Sequence, residues 1–343
     1  MDQTRAFITG IAGPSITPRE AGFLDRARPW GLILFARNIE TPRQLRGLVG
    51  EFRRIVGRAD APVLIDQEGG RVRRLRPPHW RDMPPAGAVA TLWHKDRAQA
   101  ERAAWLSGRL IGEELFGLGV TVDCFPVADL LIPGAHDIIG DRAYGETPEA
   151  VIALAGAAAA GMRASGVSTV VKHIPGHGRA SADSHLELPL VTALRAELDM
   201  TDFAAFAGLA GLPMAMTAHV VYAAVDPAAP ATTSTRVIKD VIRGQIGFTG
   251  LLMSDDLSMK ALSGTMAART EAVFAAGCDM ALHCNGDMTE MEAVAAASPV
   301  LAGLSERRAA HALAWPRRKE EDCDDLRGEF ASLLGLAGAP AIA

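Results

Sequence analysis

The densest group of reactive side chains lies in VVKHIPGHGRASADSHLELP, residues 170–189. This stretch holds three of the nine histidines of the chain, together with Lys172, Asp183 and Glu187. It begins with apolar residues, as at the end of a buried strand, and continues as a polar segment interrupted by glycine and proline. Imidazole, ammonium and carboxylate groups in one segment could bind a metal ion, form a Schiff base or transfer protons.

The first two of these chemistries fit the sequence poorly. His173 and His177 are four residues apart, but Pro175 and Gly176 between them exclude a continuous helical face that could present both to a metal. A Schiff base at Lys172 would need a dry pocket that lowers the pKa of the amine. The many carboxylates expected nearby would instead keep the amine charged. We therefore predict no metal site.

A third chemistry uses carboxylates to cleave a glycosidic bond. It needs a nucleophile or base on one face of the sugar and a proton donor on the other. Asp255 in LLMSDDLSM follows an apolar run and could supply the first group. Asp183 and His185 could supply the second, because a carboxylate beside a histidine fixes its tautomer and raises its pKa, which makes the ring a competent proton shuttle.

Eight short apolar runs, each ending in glycine, proline or polar residues, are the elements that would position these groups. They span residues 6–13, 31–38, 62–70, 120–130, 167–176, 213–222, 250–259 and 278–286. Helical patterns are expected between them at 43–57, 96–117, 147–165, 195–210, 235–245, 265–276 and 288–303. Only 14–30 is ambiguous, because Pro14, Pro18 and Pro29 crowd it.

This alternation predicts an α/β fold, a single-domain (β/α)8 TIM barrel. A doubly wound open sheet is the alternative, but no G-x-G-x-x-G motif follows the first run. We assign residues 1–305 to the barrel catalytic domain and residues 306–343 to a C-terminal helical extension and tail.

In a barrel, catalytic residues lie at the C-terminal ends of the strands. Polar residues indeed follow the apolar runs, whereas the starts of the runs carry residues such as Pro62, Val167 and Gly250. The polar residues at the predicted strand ends are Asp66, Glu68, Asp129, Lys172, His173, His219, Asp255, Asp256 and Asn285. This one-sided distribution predicts an active site at that rim.

Composition narrows the class of protein further. The 343 residues are 49% apolar and 22% charged, with a net charge of −5. Nothing in this balance favours binding to nucleic acid or to an anionic membrane. The four cysteines form no C-x-x-C pair and are too few for a disulfide scaffold, so free thiols are expected. The N-terminal residues do not resemble a signal peptide, and we predict a cytoplasmic monomer.

Four motifs in order along the chain support a more specific assignment. DQEGGRVRR, VKHIPGHG, DSHLELP and GLLMSDDLSM resemble motifs of the family-3 glycoside hydrolases. The similarity covers roughly residues 5–305, and the match is close to the bacterial cytoplasmic β-N-acetylglucosaminidases, or β-hexosaminidases, of peptidoglycan recycling.

The resemblance implies a retaining double-displacement mechanism that uses no cofactor. It implies that Asp255 is the nucleophile and that His185 is the acid/base, with Asp183 as its dyad partner. The substrate would be a small carbohydrate, a muropeptide fragment of the N-acetylglucosaminyl-anhydro-N-acetylmuramic acid type. The positions that match sugar-binding residues of the family are Asp66, Arg74, Arg142, Lys172 and His173.

Two other functions stay open at this point. A family-3 β-glucosidase or β-xylosidase is the alternative enzyme, but such enzymes usually carry a second domain that supplies a carboxylate acid/base. A non-catalytic sugar-binding barrel would lack Asp255 or His185, and both are present.

Three smaller features carry hypotheses of their own. Residues 71–81 hold five arginines and no acidic residue, so Arg76 or Arg81 could meet carboxylates of a muropeptide aglycone. Trp80 could stack on a sugar. His219 could line the pocket or be a buried structural histidine.

Overall fold

The computed structural model of the protein describes residues 3–180, 187–319 and 322–336. The strands in these residues are β1 (Arg5–Thr9), β2 (Pro29–Leu34), β3 (Val63–Ile65), β4 (Val122–Asp123), β5 (Ser168–Ile174), β6 (Leu190–Val191), β7 (Met214–Thr217), β8 (Val221–Tyr222), β9 (Leu251–Asp256) and β10 (Met280–His283). Eight of them form a closed barrel in the order β1, β10, β9, β7, β5, β4, β3, β2. All neighbouring pairs in it are parallel.

This barrel confirms the predicted (β/α)8 TIM fold, and each of the eight apolar runs overlaps one barrel strand. The two short strands β6 and β8 lie outside the barrel and pair with each other, with Leu190 opposite Val221. They belong to the segments that follow β5 and β7, at the C-terminal ends of the barrel strands.

Helices connect the strands and cover the barrel. They are α1 (Pro18–Ala27), α2 (Pro42–Ile55), α3 (Ala86–Ala90), α4 (Arg97–Gly117), α5 (Pro148–Ser165), α6 (Arg195–Met200), α7 (Asp202–Ala207), α8 (Met266–Ala276), α9 (Met288–Ala297), α10 (Gly303–Ala314) and α11 (Cys323–Leu333). Residues Val237–Gln245 form a π-helix between β8 and β9. Among the described residues, no helix combines the length and the apolar character that crossing a membrane requires.

Two helical segments differ from the sequence prediction. The ambiguous stretch at 14–30 contains α1, because Pro18 occupies the first helical position, where its missing N–H costs nothing. The single helix expected at 195–210 is instead two short helices, α6 and α7, which meet at Thr201. Thr201 has φ −123° and ψ −91°, values outside the helical region.

The apolar core has two layers. One layer fills the barrel interior and includes Ile8, Ile33 and Leu64. The other lies between the barrel and its helices and includes Phe52 and Leu154. Side chains of a strand point alternately to the two layers, so the parity of each strand decides which residues can reach the interior at the rim.

Candidate active site

Strand parity directs three of the predicted site residues into the barrel. Leu64, Val170 and Met253 belong to the cluster that fills the barrel interior. Because alternate side chains of a strand face the same side, the residues two positions later also point inward. These residues are Asp66, Lys172 and Asp255.

A cavity of about 340 Å³ lies at this rim. The predicted site residues that line it are Asp66, Arg74, Arg142, Lys172, His173 and Asp255. Apolar side chains complete the wall, among them Ile33, Phe35, Ile139 and Met216. The structure thus brings six of the eight predicted residues together, and their roles stay predictions. The other two, Asp183 and His185, lie outside the described residues.

Lys172 and Arg142 are joined by a buried network of ion pairs. The Lys172 Nζ lies 2.7 Å from Asp66 Oδ1 and 2.7 Å from Glu68 Oε1. Arg142 donates two hydrogen bonds to the Glu68 carboxylate, at 2.8 and 2.9 Å. Arg74 donates from Nη2 to Asp66 Oδ2 at 3.1 Å. Three cations and two carboxylates are therefore fixed in one arrangement before any ligand binds.

The ion pairs of this network shift the pKa values of Asp66, Glu68 and Lys172 and keep all three groups ionised. Burial alone would raise the pKa of Asp66 and Glu68, but the nearby cations outweigh it: the pKa of Asp66 falls well below its usual range, and that of Glu68 falls to about 2. Burial alone would lower the pKa of Lys172, but the two carboxylates raise it. Lys172 is therefore a charged ammonium, which does not suit a Schiff base.

His173 is oriented by Asp129, which follows β4. Asp129 Oδ2 lies 2.7 Å from His173 Nδ1, and the Asp129 carboxylate also accepts from the backbone N–H groups of His173 and His177. Burial would raise the pKa of Asp129, but His173 and the hydrogen bonds lower it. Because an ionised carboxylate only accepts, Nδ1 carries the hydrogen, and Nε2 is left for a ligand.

Asp255 and Asp256 both line the cavity, but their surroundings differ. The Asp256 carboxylate accepts from the backbone N–H groups of Ser258 and Cys284, each at 3.0 Å, and from the Ser258 hydroxyl at 2.5 Å. Asp255 accepts the backbone N–H of Asp256 at 2.8 Å. The Asp256 carboxylate therefore stabilises the turn after β9, whereas strand parity directs the Asp255 side chain into the barrel, which makes Asp255 the better candidate nucleophile.

His219 is a structural histidine. It is fully buried and does not line the cavity. Its Nε2 lies 3.0 Å from the carbonyl oxygen of Asp256, and its Nδ1 lies 2.7 Å from the Thr232 hydroxyl. A carbonyl oxygen only accepts, so Nε2 carries the hydrogen. Burial lowers the pKa of His219, which keeps this ring neutral beneath the Asp255–Asp256 turn.

Trp80 and Arg81, for which contacts with the substrate were predicted, do not line this cavity. Both residues line a different, largely apolar groove, which the 77–84 segment forms with Leu110 of α4 and Phe330 of α11. Arg76 is exposed and does not line the cavity. Of the loop arginines, Arg71 and Arg74 do line it, and Arg71 is held by Asp137 and Asp141.

Two charged residues that hold side chains of the cavity in place were noted at strand ends in the sequence but were not assigned to the site. They are Glu68, which binds both Lys172 and Arg142, and Asp129, which orients His173. The one-sided distribution of polar residues was the signal that could have identified both, because each closes a barrel strand.

The segment that leads from β5 towards Asp183 is anchored in the described structure. Gly178 passes so close to Leu130 that an added Cβ would lie 2.0 Å from its carbonyl oxygen. Arg179 pairs with Glu197 and Asp202, both at 2.6 Å. The chain therefore leaves the barrel from a fixed point beside the cavity.

The sequence matches a family of glycoside hydrolases and named members of it. Residues 19–313 match the family model described as the glycosyl hydrolase family 3 N-terminal domain. A beta-hexosaminidase of Alkalilimnicola ehrlichii is 43% identical over 280 residues, which are 80% of this chain and 79% of that protein. A beta-hexosaminidase of Pseudomonas aeruginosa is 41% identical over 289 residues, which are 83% of this chain and 84% of that protein.

Solved structures show the same similarity. NagZ from Neisseria gonorrhoeae, in complex with N-trifluoroacetyl-D-glucosamine, superposes with a TM-score of 0.86 at 31% identity, over 98% of this chain and 99% of that one. A glycoside hydrolase family 3 β-N-acetylglucosaminidase from Paenibacillus superposes with a TM-score of 0.79 at 30% identity, over 98% of this chain and 62% of that one. The chain therefore belongs to glycosyl hydrolase family 3.

Proposed function

We propose that the protein is a retaining exo-β-N-acetylglucosaminidase that removes terminal β-linked N-acetylglucosamine from muropeptide fragments by double displacement. The observation that carries this proposal is the convergence of Asp255 with Asp66, Arg74, Arg142, Lys172 and His173 around one cavity. The family makes the protein a glycoside hydrolase, and relatives named beta-hexosaminidase support β-N-acetylhexosaminides as its substrates.

The size of the cavity supports removal of a single terminal sugar. Its volume of about 340 Å³ lies at the lower end of the range of about 300–1,000 Å³ for small-molecule sites. Charged groups that are already paired, such as Lys172 with Asp66, can exchange hydrogen bonds with sugar hydroxyls without large movements. The terminal sugar would lie against these groups, and the aglycone would point to solvent.

The first chemical step forms a bond between a carboxylate oxygen of Asp255 and the anomeric carbon. The bond from that carbon to the aglycone oxygen breaks, and His185 gives its proton to the departing oxygen. In the second step His185 takes a proton from water, the water oxygen attacks the anomeric carbon, and the bond to Asp255 breaks. Two inversions at one carbon retain its configuration.

His185 and Asp183 enter this scheme through the resemblance of DSHLELP to the family motif. Imidazole suits both proton transfers near neutral pH, where an unshifted carboxylic acid would already be ionised. Two carboxyl groups of the cavity are poor alternatives, because nearby cations lower the pKa of Asp66 and of Glu68 and keep both groups ionised.

The biological setting follows from the same resemblance. The Neisseria structure at 31% identity is a NagZ, and its ligand is an N-acylated glucosamine. We place this protein in the cytoplasm, in the recycling of peptidoglycan fragments, with the muropeptide as its only required partner.

A direct test compares aryl β-N-acetylglucosaminide and aryl β-glucoside as substrates of the same preparation. The proposal predicts rapid release of the phenol from the first and little from the second. Proton NMR of the early product should show the β-anomer of N-acetylglucosamine before mutarotation. Preference for the glucoside would contradict the substrate, and early α-anomer would contradict the retaining mechanism.

A further inference from the structure

We propose that Gln67 is a positioning residue for the glycosidase reaction, and that Asp123 holds it in place from beneath the loop. Gln67 lies between Asp66 and Glu68, but it is 2% exposed and does not line the cavity. The proposal rests on the proposed sugar-binding role of Arg74, because Gln67 would act through that residue.

The Gln67 amide closes the loop that follows β3. Its Oε1 accepts from the backbone N–H groups of Arg74, at 2.8 Å, and of Leu75, at 3.0 Å. Its Nε2 donates to the carbonyl oxygen of Leu75 at 3.3 Å. One side chain therefore satisfies three backbone groups seven and eight residues away, as a neighbouring strand would.

This closure determines where the Arg74 guanidinium lies. Arg74 reaches back over the loop to Asp66, and its guanidinium carbon lies 5.1 Å from the centre of the Phe35 ring. Other backbone pairings of this segment lie away from Arg74: Glu68 N–H donates to the carbonyl oxygen of Val72 at 2.9 Å, and Gly70 N–H donates to that of Met83 at 2.8 Å. The described contact that holds the backbone N–H of Arg74 is the one with the Gln67 amide.

Asp123 fixes Gln67 in turn. It is fully buried at the end of β4, and its Oδ1 accepts the backbone N–H of Gln67 at 2.9 Å. In the described part of the chain its Oδ2 has no hydrogen-bond partner. Burial raises the pKa of Asp123 well above its usual range, and the Asp66 and Glu68 carboxylates raise it further. Burial thus favours the neutral form of Asp123, and its Oδ1 serves as the acceptor for Gln67.

The acceptor role of Asp123 Oδ1 makes a distinctive prediction for two substitutions of this residue. Asp123→Asn keeps a neutral acceptor oxygen of the same shape, so kcat/KM should stay within a factor of about two of wild type. Asp123→Leu removes the acceptor and should weaken binding in the same direction as loss of the Gln67 amide. Equal impairment by Asn and Leu would contradict the acceptor role of Asp123.

The main test is Gln67→Leu, assayed on an aryl β-N-acetylglucosaminide and by inhibition with free N-acetylglucosamine. The substitution leaves the N–H groups of Arg74 and Leu75 without an acceptor, and the loop shifts. Misplacement by about 1 Å can cost about 100-fold, so we expect kcat/KM to fall at least about tenfold, with KM and the inhibition constant of the sugar rising together. Gln67→Asn, which folds more readily but cannot span both N–H groups, should give a smaller change in the same direction.

Gln44→Leu is the matched control. Gln44 also bridges loop backbone, accepting from Glu40 at 3.0 Å and donating to Asn38 at 3.0 Å, but neither it nor these partners line the cavity. It should lower thermal stability without changing the affinity for the sugar. If Gln67→Leu behaves as Gln44→Leu does, Gln67 is merely structural and the proposal is wrong.

A double-mutant cycle separates this proposal from the one on which it rests. If Gln67 acts through Arg74, then Gln67→Leu should have little further effect on sugar affinity in an Arg74→Ala background. An effect of Arg74→Ala with none of Gln67→Leu would overturn the positioning role alone. If Arg74→Ala leaves the affinity unchanged, the proposed sugar-binding role of Arg74 fails instead.

Discussion

The ionisation state of Glu68 affects the stability of the fold, because this carboxylate forms ion pairs with both Arg142 and Lys172 in a buried site. In the folded protein its pKa is about 2, against 4.5 for a free glutamate. Between these values the unfolded chain binds a proton that the folded chain does not. Stability from this group is therefore present above pH 4.5 and is lost as the pH falls towards 2.

Glu68→Gln should remove this dependence. We expect the variant to be less stable than wild type at neutral pH, because it leaves Arg142 and Lys172 with fewer anionic partners. Its stability should also fall less steeply between pH 4.5 and pH 2. Urea unfolding across a pH series measures both effects. The control is Glu271→Gln, at an exposed position of α8, which should leave the pH dependence of the free energy of unfolding as in wild type. If Glu68→Gln also keeps the wild-type pH dependence, the assigned pKa of Glu68 is contradicted.

If His185 is the general acid, the effect of replacing it should depend on the pKa of the leaving group. His185→Ala should slow the release of poor leaving groups by about 100-fold or more, the usual contribution of a positioned proton donor. Activated leaving groups such as dinitrophenolate need little protonation and should be affected far less. The measurement is kcat/KM against leaving-group pKa. If this dependence is no steeper in His185→Ala than in wild type, another residue is the acid, and Glu187 is the first to test.

At the residue scale the sequence identified groups that interact directly but not those that act through the backbone. Asp66, Lys172 and Asp255 were predictable because each is charged and ends an apolar run. Gln67 and Asp123 were not, because their proposed role depends on which backbone groups lie near them in space. The position of Trp80 was not predictable for a similar reason: its loop folds away from the cavity onto α11.

The close pairing of α4 with α5 explains the alanine-rich run VIALAGAAAAGM. An added Cβ at Gly161 would lie 1.9 Å from the carbonyl oxygen of Trp105, and one at Gly108 would lie 2.0 Å from that of Ala158. The two helices are therefore in backbone contact at these points, which only small residues permit. The run is therefore a helix-packing surface.

Two glycines of α5 give a matched pair of substitutions. Gly161→Ala should destabilise the protein by about 1–3 kcal/mol, because the backbone of α4 must move away. Gly156→Ala, whose Cβ would meet Leu209 at an ordinary 3.6 Å, should stabilise it by about 0.5–1 kcal/mol through helix propensity. Urea unfolding of both variants provides the measurement, and destabilisation of similar size in both would contradict the packing argument.

Helix α1 forms in a proline-rich segment because its N-terminus is well capped. Three prolines obscured this segment in the sequence, yet Thr17 and Glu20 form a reciprocal capping box, with Glu20 Oε2 accepting the Thr17 N–H at 2.8 Å. The pattern Thr-Pro-x-Glu could have been recognised as a helix start. The break between α6 and α7 at Thr201 had no such signal, because it depends on tertiary contacts such as that of Asp202 with Arg179.

The whole molecule was the most predictable level. Strand–helix alternation indicates a barrel, and polar residues at the same end of six of the eight apolar runs indicate its active rim. Both signals are averaged over several repeats, so an error in one element does not change the result. Loops have no such averaging, and the paths of the segments around Trp80 and Arg71 came only from the structure.

The central claim is that this rim performs double displacement with Asp255 as the nucleophile. Incubation with a 5-fluoro derivative of an activated N-acetylglucosaminyl donor should accumulate the glycosyl-enzyme, because fluorine slows its hydrolysis. Digestion and mass spectrometry should then find one added sugar on the peptide that contains SDDLSMK, with fragment ions assigning it to Asp255, and Asp255→Asn should take up none. A label on Asp66 or Asp256, or turnover of the donor with no covalent adduct, would contradict the mechanism.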